Sequence, residues 1–305
     1  MNSCTTATEL DTLPFQRVSI SDKPWVDRIL RLEDSRSSAW CFANMFFWSE
    51  TYRPTVCAMG DRLLSLFEQE GGPFYGYPVG GGDLASAVLA IEKDALSRGA
   101  PFVIRGLTER SRGELEAAFP GEFDYDPDPM YFDYIYETEK LATLAGKKLH
   151  AKRNHINRFI ENNPNWTFEP ITLENLPECL AMANEWARLR EEDDLDALKR
   201  AVAHFEALGL EGGLLRVDER VIAFTIGEPL NSDTYIVHFE KAFSDIQGAY
   251  PMINREFARH IQTLRPNIRY FNREEDLGIE SLQRAKRSYY PVFMVEKYHA
   301  TRRTP

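Results

Sequence analysis

The sequence has few cysteines, and no two of them stand at a metal-binding spacing. Cys4, Cys41, Cys57 and Cys179 are scattered along the chain and form no Cys-x-x-Cys motif. Scattered thiols are typical of a reducing compartment, and these spacings offer no tetrahedral ligand set for a structural zinc ion. We therefore expect a cytoplasmic protein without a metal site.

Long apolar runs and a basic leader are also absent. Residues 1–13 contain neither an apolar run nor a basic stretch, which argues against a signal peptide. No stretch of about 18 apolar residues occurs, so we expect no membrane span. The net charge of −11 makes general binding of nucleic acid unfavourable, because phosphate contacts require lysine and arginine. Only a local basic patch would support such binding.

What is present is a repeated order of predicted elements. With 305 residues, of which 43% are hydrophobic and 27% charged, the chain is long enough for two globular domains. Hydrophobic periodicity and turn residues predict strand, helix, helix, three strands, helix, strand, helix and strand in each half. The same order occurring twice, without repeated sequence, indicates an ancient duplication.

The predicted elements have the following bounds. In the first half, strands are expected near 15–20, 55–59, 63–68, 74–79, 102–107 and 130–137, and helices near 24–32, 39–50, 84–98 and 111–119. In the second half, strands are expected near 167–171, 214–217, 221–226, 234–240, 268–272 and 292–298, and helices near 176–190, 195–208, 249–264 and 277–288.

This order is the one expected of the GNAT acyltransferase fold, in which three antiparallel strands lead into a helix and a parallel strand then parts from the third. We therefore predict an α/β protein with mixed sheets and two tandem GNAT-like domains. The predicted boundaries are 1–140 for the first domain, 141–164 for a basic linking helix, and 165–305 for the second domain, which carries the site. Ligands in α/β sheets favour such a break in the sheet.

The predicted linking helix is strongly basic. Between Leu144 and Phe159 the sequence contains no acidic residue. Its basic residues are Lys147, Lys148, Lys152, Arg153 and Arg158. This face would either bind phosphates of tRNA or CoA, or be a solvated surface that pairs with the acidic body of the protein. His150 and His155 are five residues apart and do not share a helical face, which argues against a metal pair.

Several longer segments resemble one family. They are residues 147–159, 238–241, 270–280 and 285–291, the third of which contains Asn272-Arg273-Glu274-Glu275-Asp276. Together they resemble the phosphatidylglycerol lysyltransferase C-terminal-like family, which is similar to the Fem-type peptidoglycan aminoacyltransferases. The resemblance covers about residues 15–299. It implies transfer of an acyl or aminoacyl group from CoA or charged tRNA to an amine or hydroxyl. The lysyltransferases carry a large membrane domain that this sequence lacks, so lysine transfer to a lipid does not follow.

Acyl transfer requires a base, stabilisation of an oxyanion and protonation of the leaving group. We predict Glu240, at the end of the third strand of the second half, as the general base. Its alternative is a surface charge paired with Lys241. By resemblance to GNAT-type enzymes, Tyr289 is the candidate proton donor and Tyr290 the second choice, although one of the two is expected only to pack.

Polar residues gather where the next strand ends. Asn272 is predicted as catalytic. Six further side chains are predicted to bind substrate: Arg273, Glu274, Glu275, Asp276, Lys286 and Tyr290. Arg273 would grip a carboxylate or phosphate, or else form an internal salt bridge to Glu274 or Glu240. Asp276 suits a helix N-cap.

The expected phosphate-binding turn is weak. Gln247, Gly248 and Ala249 are the predicted cofactor-binding residues, and the first half offers residues 80–83 in the matching place. Asp245 would repel phosphate, and a flexible turn is an alternative in both halves. We expect no tightly bound cofactor, with acyl-CoA or aminoacyl-tRNA as the co-substrate. The alternatives to an enzyme are a non-catalytic GNAT-like module that binds a ligand or partner, and an RNA-binding protein that uses the basic helix.

Overall fold

The computed structural model describes residues 12–69, 72–188 and 194–303. Cys4, most of the segment examined for a signal peptide, and the end of the helix predicted to reach Arg190 lie outside these residues. The chain forms two compact units that are not consecutive halves. Unit 1 contains the described residues up to Glu33, Ser49–Pro127 and those from Lys297 onward, and unit 2 contains Asp34–Trp48 and Asp128–Glu296.

The strands and helices follow in chain order. The strands are β1 (Gln16–Arg17), β2 (Thr55–Met59), β3 (Arg62–Phe67), β4 (Phe74–Gly76), β5 (Val79–Gly80), β6 (Val103–Leu107), β7 (Phe123–Pro127), β8 (Asp133–Glu137), β9 (Trp166–Pro170), β10 (Glu211–Val217), β11 (Arg220–Pro229), β12 (Thr234–Ala242), β13 (Tyr270–Asn272), β14 (Phe293–Val295) and β15 (Tyr298–Arg302). The helices are α1 (Lys23–Glu33), α2 (Phe42–Phe47), α3 (Ser49–Tyr52), α4 (Leu84–Ser97), α5 (Glu109–Ala118), α6 (Thr138–Thr143), α7 (His150–Asn162), α8 (Leu176–Arg188), α9 (Leu195–Ala203), α10 (Phe205–Leu208), α11 (Ala249–Leu264) and α12 (Glu280–Arg287).

Each unit is built on one mixed sheet, and the two sheets repeat the same pattern. The sheet of unit 1 has the order β1-β2-β3-β4-β6-β15-β7, with β5 also paired to β3. The sheet of unit 2 has the order β14-β8-β13-β12-β11-β10-β9. Among the described strands each sheet has one parallel pair, β4 with β6 and β12 with β13, and the other pairs are antiparallel. The predicted α/β class with two GNAT-like halves is therefore confirmed.

The two halves of the chain exchange a strand. β8, from the first half, pairs with β13 in unit 2, and β15, from the end of the chain, pairs with β6 in unit 1. The predicted strand at 292–298 is thus divided between β14 in one sheet and β15 in the other. The units consequently differ from the predicted domains 1–140 and 165–305, because hydrogen bonding assigns these strands, rather than their position along the chain.

Helix α11 lies against the sheet of unit 2 through one apolar face. Met252, Ile253, Phe257 and Ile261 recur at helical spacing and are almost fully buried. The Phe257 ring packs edge-on against Tyr235 of β12 and Phe271 of β13, with centroid distances of 5.5 and 6.2 Å. This packing fixes α11 against the paired part of β12 and β13.

Candidate active site

The parallel strands of unit 2 part as predicted. β12 and β13 are paired only from Thr234 with Tyr270 to Ile236 with Asn272. β12 continues to Ala242 without this neighbour, so Glu240 lies beyond the last paired residue. A parted sheet leaves backbone and side chains accessible to a ligand, which is why such breaks commonly carry sites.

Glu240 and Arg273 form an ion pair at this opening. Arg273 Nη2 donates to Glu240 Oε1 at 2.7 Å, and Asn254 Nδ2 of α11 donates to the other carboxylate oxygen at 3.2 Å. The side chains of Arg273 and Glu240 are 13% and 9% exposed. The predicted internal salt bridge to Glu240 is therefore present. Pairing of Glu240 with Lys241 is wrong, because Lys241 binds Asp194 instead.

Two tyrosine rings surround the guanidinium group. Arg273 Cζ lies 5.1 Å from the ring centre of Tyr289 and 5.7 Å from that of Tyr136 on β8. The two rings meet edge to face at 6.5 Å. Cations bind to such ring faces by electrostatic attraction to the π system. Tyr136 reaches this position only because β8 belongs to the sheet of unit 2.

Lys152 of α7 completes the cluster. Its ammonium nitrogen lies 4.0 Å from the ring centre of Tyr289. Burial, with the charge of Arg273 nearby, lowers the pKa of Lys152 to about 8, and Glu240 opposes this shift. A lysine that titrates near neutral pH exists in both protonation states under ordinary conditions, so it can accept or donate a proton.

The two predicted tyrosines differ in environment. Tyr289 is 7% exposed, and burial raises the pKa of its phenol although the positive charge of Arg273 opposes the shift. Its hydroxyl therefore stays protonated at neutral pH and is available as a donor. Tyr290 is 48% exposed and lies 5.2 Å from Lys148 Nζ. The roles predicted for the two tyrosines stay predictions.

The cluster has polar atoms that nothing within the described chain satisfies. Arg273 Nη1 and Asn254 Oδ1 are buried and have no hydrogen-bond partner among these residues. Buried polar groups are almost always hydrogen-bonded, so unpaired ones require an explanation such as a missing ligand. With two cationic side chains, Lys152 and Arg273, against the single carboxylate of Glu240, the cluster favours a ligand that carries an anionic or strongly hydrogen-bond-accepting group.

Comparison with known proteins establishes the family. Residues 30–301 match the family described as phosphatidylglycerol lysyltransferase, C-terminal. The chain belongs to this family. A conserved protein of unknown function from Bacteroides thetaiotaomicron VPI-5482 is 39% identical, with a TM-score of 0.90 over 96% of this chain and 100% of that one.

More distant relatives also match this lysyltransferase-family chain. The structure of L-PGS from Bacillus licheniformis is 18% identical, with a TM-score of 0.63 over 93% of each chain, which shows the fold alone. An uncharacterised protein of Mycoplasmoides gallisepticum is 26% identical over 176 residues, and the match spans about half, 54%, of its length. Among the described helices of this family member, none has the length and apolar character that crossing a bilayer requires.

The structure gives Asn272 a position unlike that of a catalytic group. It is completely buried, and its Nδ2 donates to Arg36 O at 2.7 Å and to Asp133 Oδ2 at 3.1 Å. Its Oδ1 accepts from Glu274 N at 2.6 Å. No hydrogen bond joins Asn272 to Glu240 within the described residues, and the contacts of Asn272 give no support to its predicted catalytic role. In this family member Asn272 fixes the loop that carries Arg273.

The other predicted substrate-binding residues occupy positions beside this loop. Asp276 is not the N-cap of α12, because the helix begins at Glu280; it accepts from Gly278 N at 2.8 Å and from the Tyr134 hydroxyl at 2.5 Å. Lys286 donates to the carbonyl oxygen of Glu275, and burial lowers its pKa. These contacts hold the loop together, so Arg273 is the member of the motif that meets the Glu240 cluster.

The predicted cofactor turn packs against α7. Gly248 has a φ of +86°, and a Cβ placed on it would lie 2.3 Å from His155 O and 2.9 Å from Phe159 Cβ. The glycine is therefore needed for close contact between this turn and α7. Gln247 is exposed and Ala249 is buried. Phosphate binding by the three residues stays a prediction.

The basic segment is divided between exposed and inward-facing side chains. Lys147, Lys148 and Arg158 are exposed. Arg153 donates to the carbonyl oxygens of Leu144 and Gly146 and so stabilises the end of α6. Lys152 points to the Tyr289 ring instead. The sequence predicts one basic face for all five residues, and the structure differs at Lys152. Lys152 lies one and two turns before the buried Ile156 and Phe159, and this spacing indicates its inward position.

Proposed function

We propose that this chain is an acyl- or aminoacyltransferase whose reaction takes place at the parted strands of unit 2. The observation that supports this most directly is the cluster of Lys152, Glu240, Arg273 and Tyr289 at the opening between β12 and β13. It combines a group that titrates near neutral pH, a buried cation with an unpaired donor and a protonated phenol. Those are the three functions that acyl transfer requires.

The contacts suggest a role for each side chain. Arg273 Nη1, buried and without a partner in the described chain, is placed to donate to an oxyanion or to an anionic group of a substrate. Glu240 holds Arg273 in this orientation. Tyr289 donates a proton to the leaving group. Glu240 was predicted as the general base, but its carboxylate already accepts two hydrogen bonds, so Lys152 is the second candidate for that role.

We favour aminoacyl-tRNA over acyl-CoA as the donor. The turn that would cradle a pyrophosphate packs Gly248 against His155, which leaves less room for phosphate oxygens at that place. The exposed side chains of Lys147, Lys148 and Arg158 provide positive charge for a phosphodiester backbone. The family description, which names a lysyltransferase, agrees with an aminoacyl donor. The acceptor is an amine or a hydroxyl.

The test is a transfer assay with the full chain. Aminoacyl-tRNAs and acyl-CoA thioesters are offered as donors with a panel of amines and with vesicles containing phosphatidylglycerol, and products are identified by mass spectrometry. Tyr289→Phe should lower the rate about 10²–10⁴-fold, which is the usual contribution of general acid–base catalysis. Tyr290→Phe is the matched control and should leave the rate nearly unchanged, because Tyr290 is exposed. Failure of every donor, or equal rates for the two variants, would refute the proposal.

A second candidate function is ligand binding without catalysis. The observation that favours it is the ion pair between Glu240 and Arg273, which engages the carboxylate predicted as the base. This function predicts calorimetric binding of an anionic ligand that Lys152→Met weakens, together with no transfer in the assay above. Turnover that depends on Tyr289 would exclude it.

A further inference from the structure

A second polar cluster in unit 2 lies around His238, on the part of β12 that contacts α2. The register of β12 with β11 shifts between Ile226 and Gly227, so that Ile226 pairs with Phe239 while Gly227 pairs with Val237. His238 is the extra residue of this β-bulge. A bulge redirects one side chain and bends the strand locally. As a result His238 and Phe239, although adjacent in sequence, both contact the ring of Phe47.

The bulge requires a glycine on the partner strand. A Cβ on Gly227 would lie 2.0 Å from the carbonyl oxygen of Ile236. Only a residue without a side chain therefore permits β11 to approach the bulged strand this closely. Both β11 and β12 therefore determine the position of His238.

Three different ligand-type atoms meet at this position. His238 Nε2 lies 3.3 Å from Glu228 Oε1 and 3.9 Å from Cys41 Sγ, and Cys41 Sγ lies 3.1 Å from Glu228 Oε1. In a tetrahedral zinc site with ordinary bond lengths, ligand atoms of these types are separated by about 3.3 to 3.6 Å. The three separations found here are close to that range, so one ion at their centre would reach all three with small adjustments of the side chains.

The surroundings orient the imidazole as they do in metal sites. Glu274 Oε1 lies 2.8 Å from His238 Nδ1, on the side of the ring away from Cys41 and Glu228. Asn44 Nδ2 in turn donates to the same carboxylate oxygen at 2.9 Å. Metal-ligating histidines usually donate their second ring nitrogen to a carboxylate, which fixes the tautomer and the ring orientation.

Burial excludes the simpler explanation of a solvated polar patch. The side chain of His238 is 0% exposed and that of Glu228 is 11% exposed, while Cys41 is 4% exposed. Two carboxylates, a thiol and an imidazole thus share a nearly dry position. A divalent cation would offset the charge of the two carboxylates there.

We propose that Cys41, Glu228 and His238 bind a divalent metal ion, with Zn²⁺ the best match to a mixed sulfur, oxygen and nitrogen ligand set. On binding, the ion replaces the thiol proton of Cys41, and any proton on His238 Nε2, and these protons are released to solvent. A water molecule or the second oxygen of Glu228 completes the coordination. The ion joins α2 to β11 and β12 and would stabilise unit 2. The expectation of no metal site came from spacing along the sequence, whereas these residues are brought together by the fold.

The test uses the purified full chain and Co²⁺ as a spectroscopic probe for a zinc site. The wild type should bind one equivalent of Co²⁺ and show tetrahedral d–d bands with a thiolate-to-cobalt charge-transfer band, and Zn²⁺ should abolish both. Cys41→Ser should lose the charge-transfer band and bind at least about tenfold more weakly. Cys179→Ser is the matched control, because Cys179 is also a buried free cysteine of unit 2, and it should retain the spectrum.

Two more variants keep the proposal falsifiable if Cys41→Ser does not fold. His238→Asn retains a polar group toward Glu274 but lacks Nε2, and it should lose metal binding. Glu274→Gln retains the hydrogen bond to His238 without the charge. This variant should bind the metal ion about 10–100-fold more weakly, as is usual when a group that hydrogen-bonds to a metal ligand is replaced. Absence of stoichiometric Co²⁺ or Zn²⁺ binding by the wild type, or a charge-transfer band that survives in Cys41→Ser, would overturn the proposal.

Discussion

Replacing Lys152 with methionine should change how the stability of the protein depends on pH. In the unfolded chain the lysine has its ordinary pKa of 10.5, and in the folded chain its pKa is about 8 because of burial and the nearby charge of Arg273. Between these two values the unfolded chain binds more protons than the folded chain, so the wild-type stability rises with pH. Below about pH 8 the folded chain bears the full cost of the buried ammonium group.

The magnitude follows from this difference in pKa, reduced because Lys152 is only half-buried. After allowance for solvent screening we expect a cost of about 1–2 kcal/mol at neutral pH. Methionine keeps the length of the side chain and removes the charge. At about pH 7 the variant lacks the cost of the buried charge, whereas near pH 10 the wild type has lost most of that cost. The difference in free energy of unfolding between Lys152→Met and the wild type should therefore shift by about 1–2 kcal/mol in favour of the wild type between about pH 7 and pH 10. Other titrating groups affect both proteins alike and cancel in the comparison.

Urea unfolding of both proteins at the two pH values measures this effect. Lys147→Met is the control, because Lys147 is exposed, and its difference from the wild type should be the same at both pH values. A difference between the wild type and Lys152→Met that did not change with pH would refute the inward position of Lys152, and with it the second candidate for the general base.

Two further substitutions test the packing of the site. Gly248→Ala should lower the free energy of unfolding in urea by about 2–4 kcal/mol, because its Cβ would meet His155 O at 2.3 Å at a positive φ. The control is Gly209→Ala, at φ +72° with open space around it, which should lower the free energy of unfolding by only about 1 kcal/mol. Equal losses would contradict the contact with α7. Asn272→Ala should lower the thermal midpoint, at a cost of about 2–4 kcal/mol, because three buried hydrogen bonds are lost. Asn267→Ala, at an exposed position, should cost less than about 1 kcal/mol, and similar midpoints would show that Asn272 does not hold the loop.

The order of elements was predictable because local signals determine it. Alternating and helical apolar patterns, together with turn residues, located α4, α11, β2 and β12 within a residue or two of their bounds. β7 was missed because its segment, Phe123–Pro127, alternates aspartate with aromatic residues and ends in proline, which weakens a strand signal. The helix expected over 195–208 is two helices, α9 and α10.

The site was only partly predictable, since its residues come from six segments of the chain, on or next to β8, α7, β12, α11, β13 and α12. The opening between β12 and β13, and Glu240, Arg273 and Tyr289 beside it, followed from the order of elements and from the family resemblance. Asn254 and Tyr136 were not foreseen, because nothing in the sequence indicates which strand neighbours β13. The cluster around His238 depends on Cys41, nearly 200 positions away from His238 in the chain, and on a bulge that no sequence period reveals.

The crossing over of β8 and β15 has a consequence for biosynthesis. A chain cut between β8 and β9 would yield two fragments, each lacking an inner strand of its own sheet and retaining one that belongs to the other. During translation the sheet of unit 1 stays incomplete, with the edge of β6 uncovered, until β15 has left the ribosome. Late closure of this kind favours slow folding and exposes an unpaired edge to neighbouring chains. Expression of either half by itself should therefore give aggregates, whereas co-expression of the two fragments offers a route to reassembly.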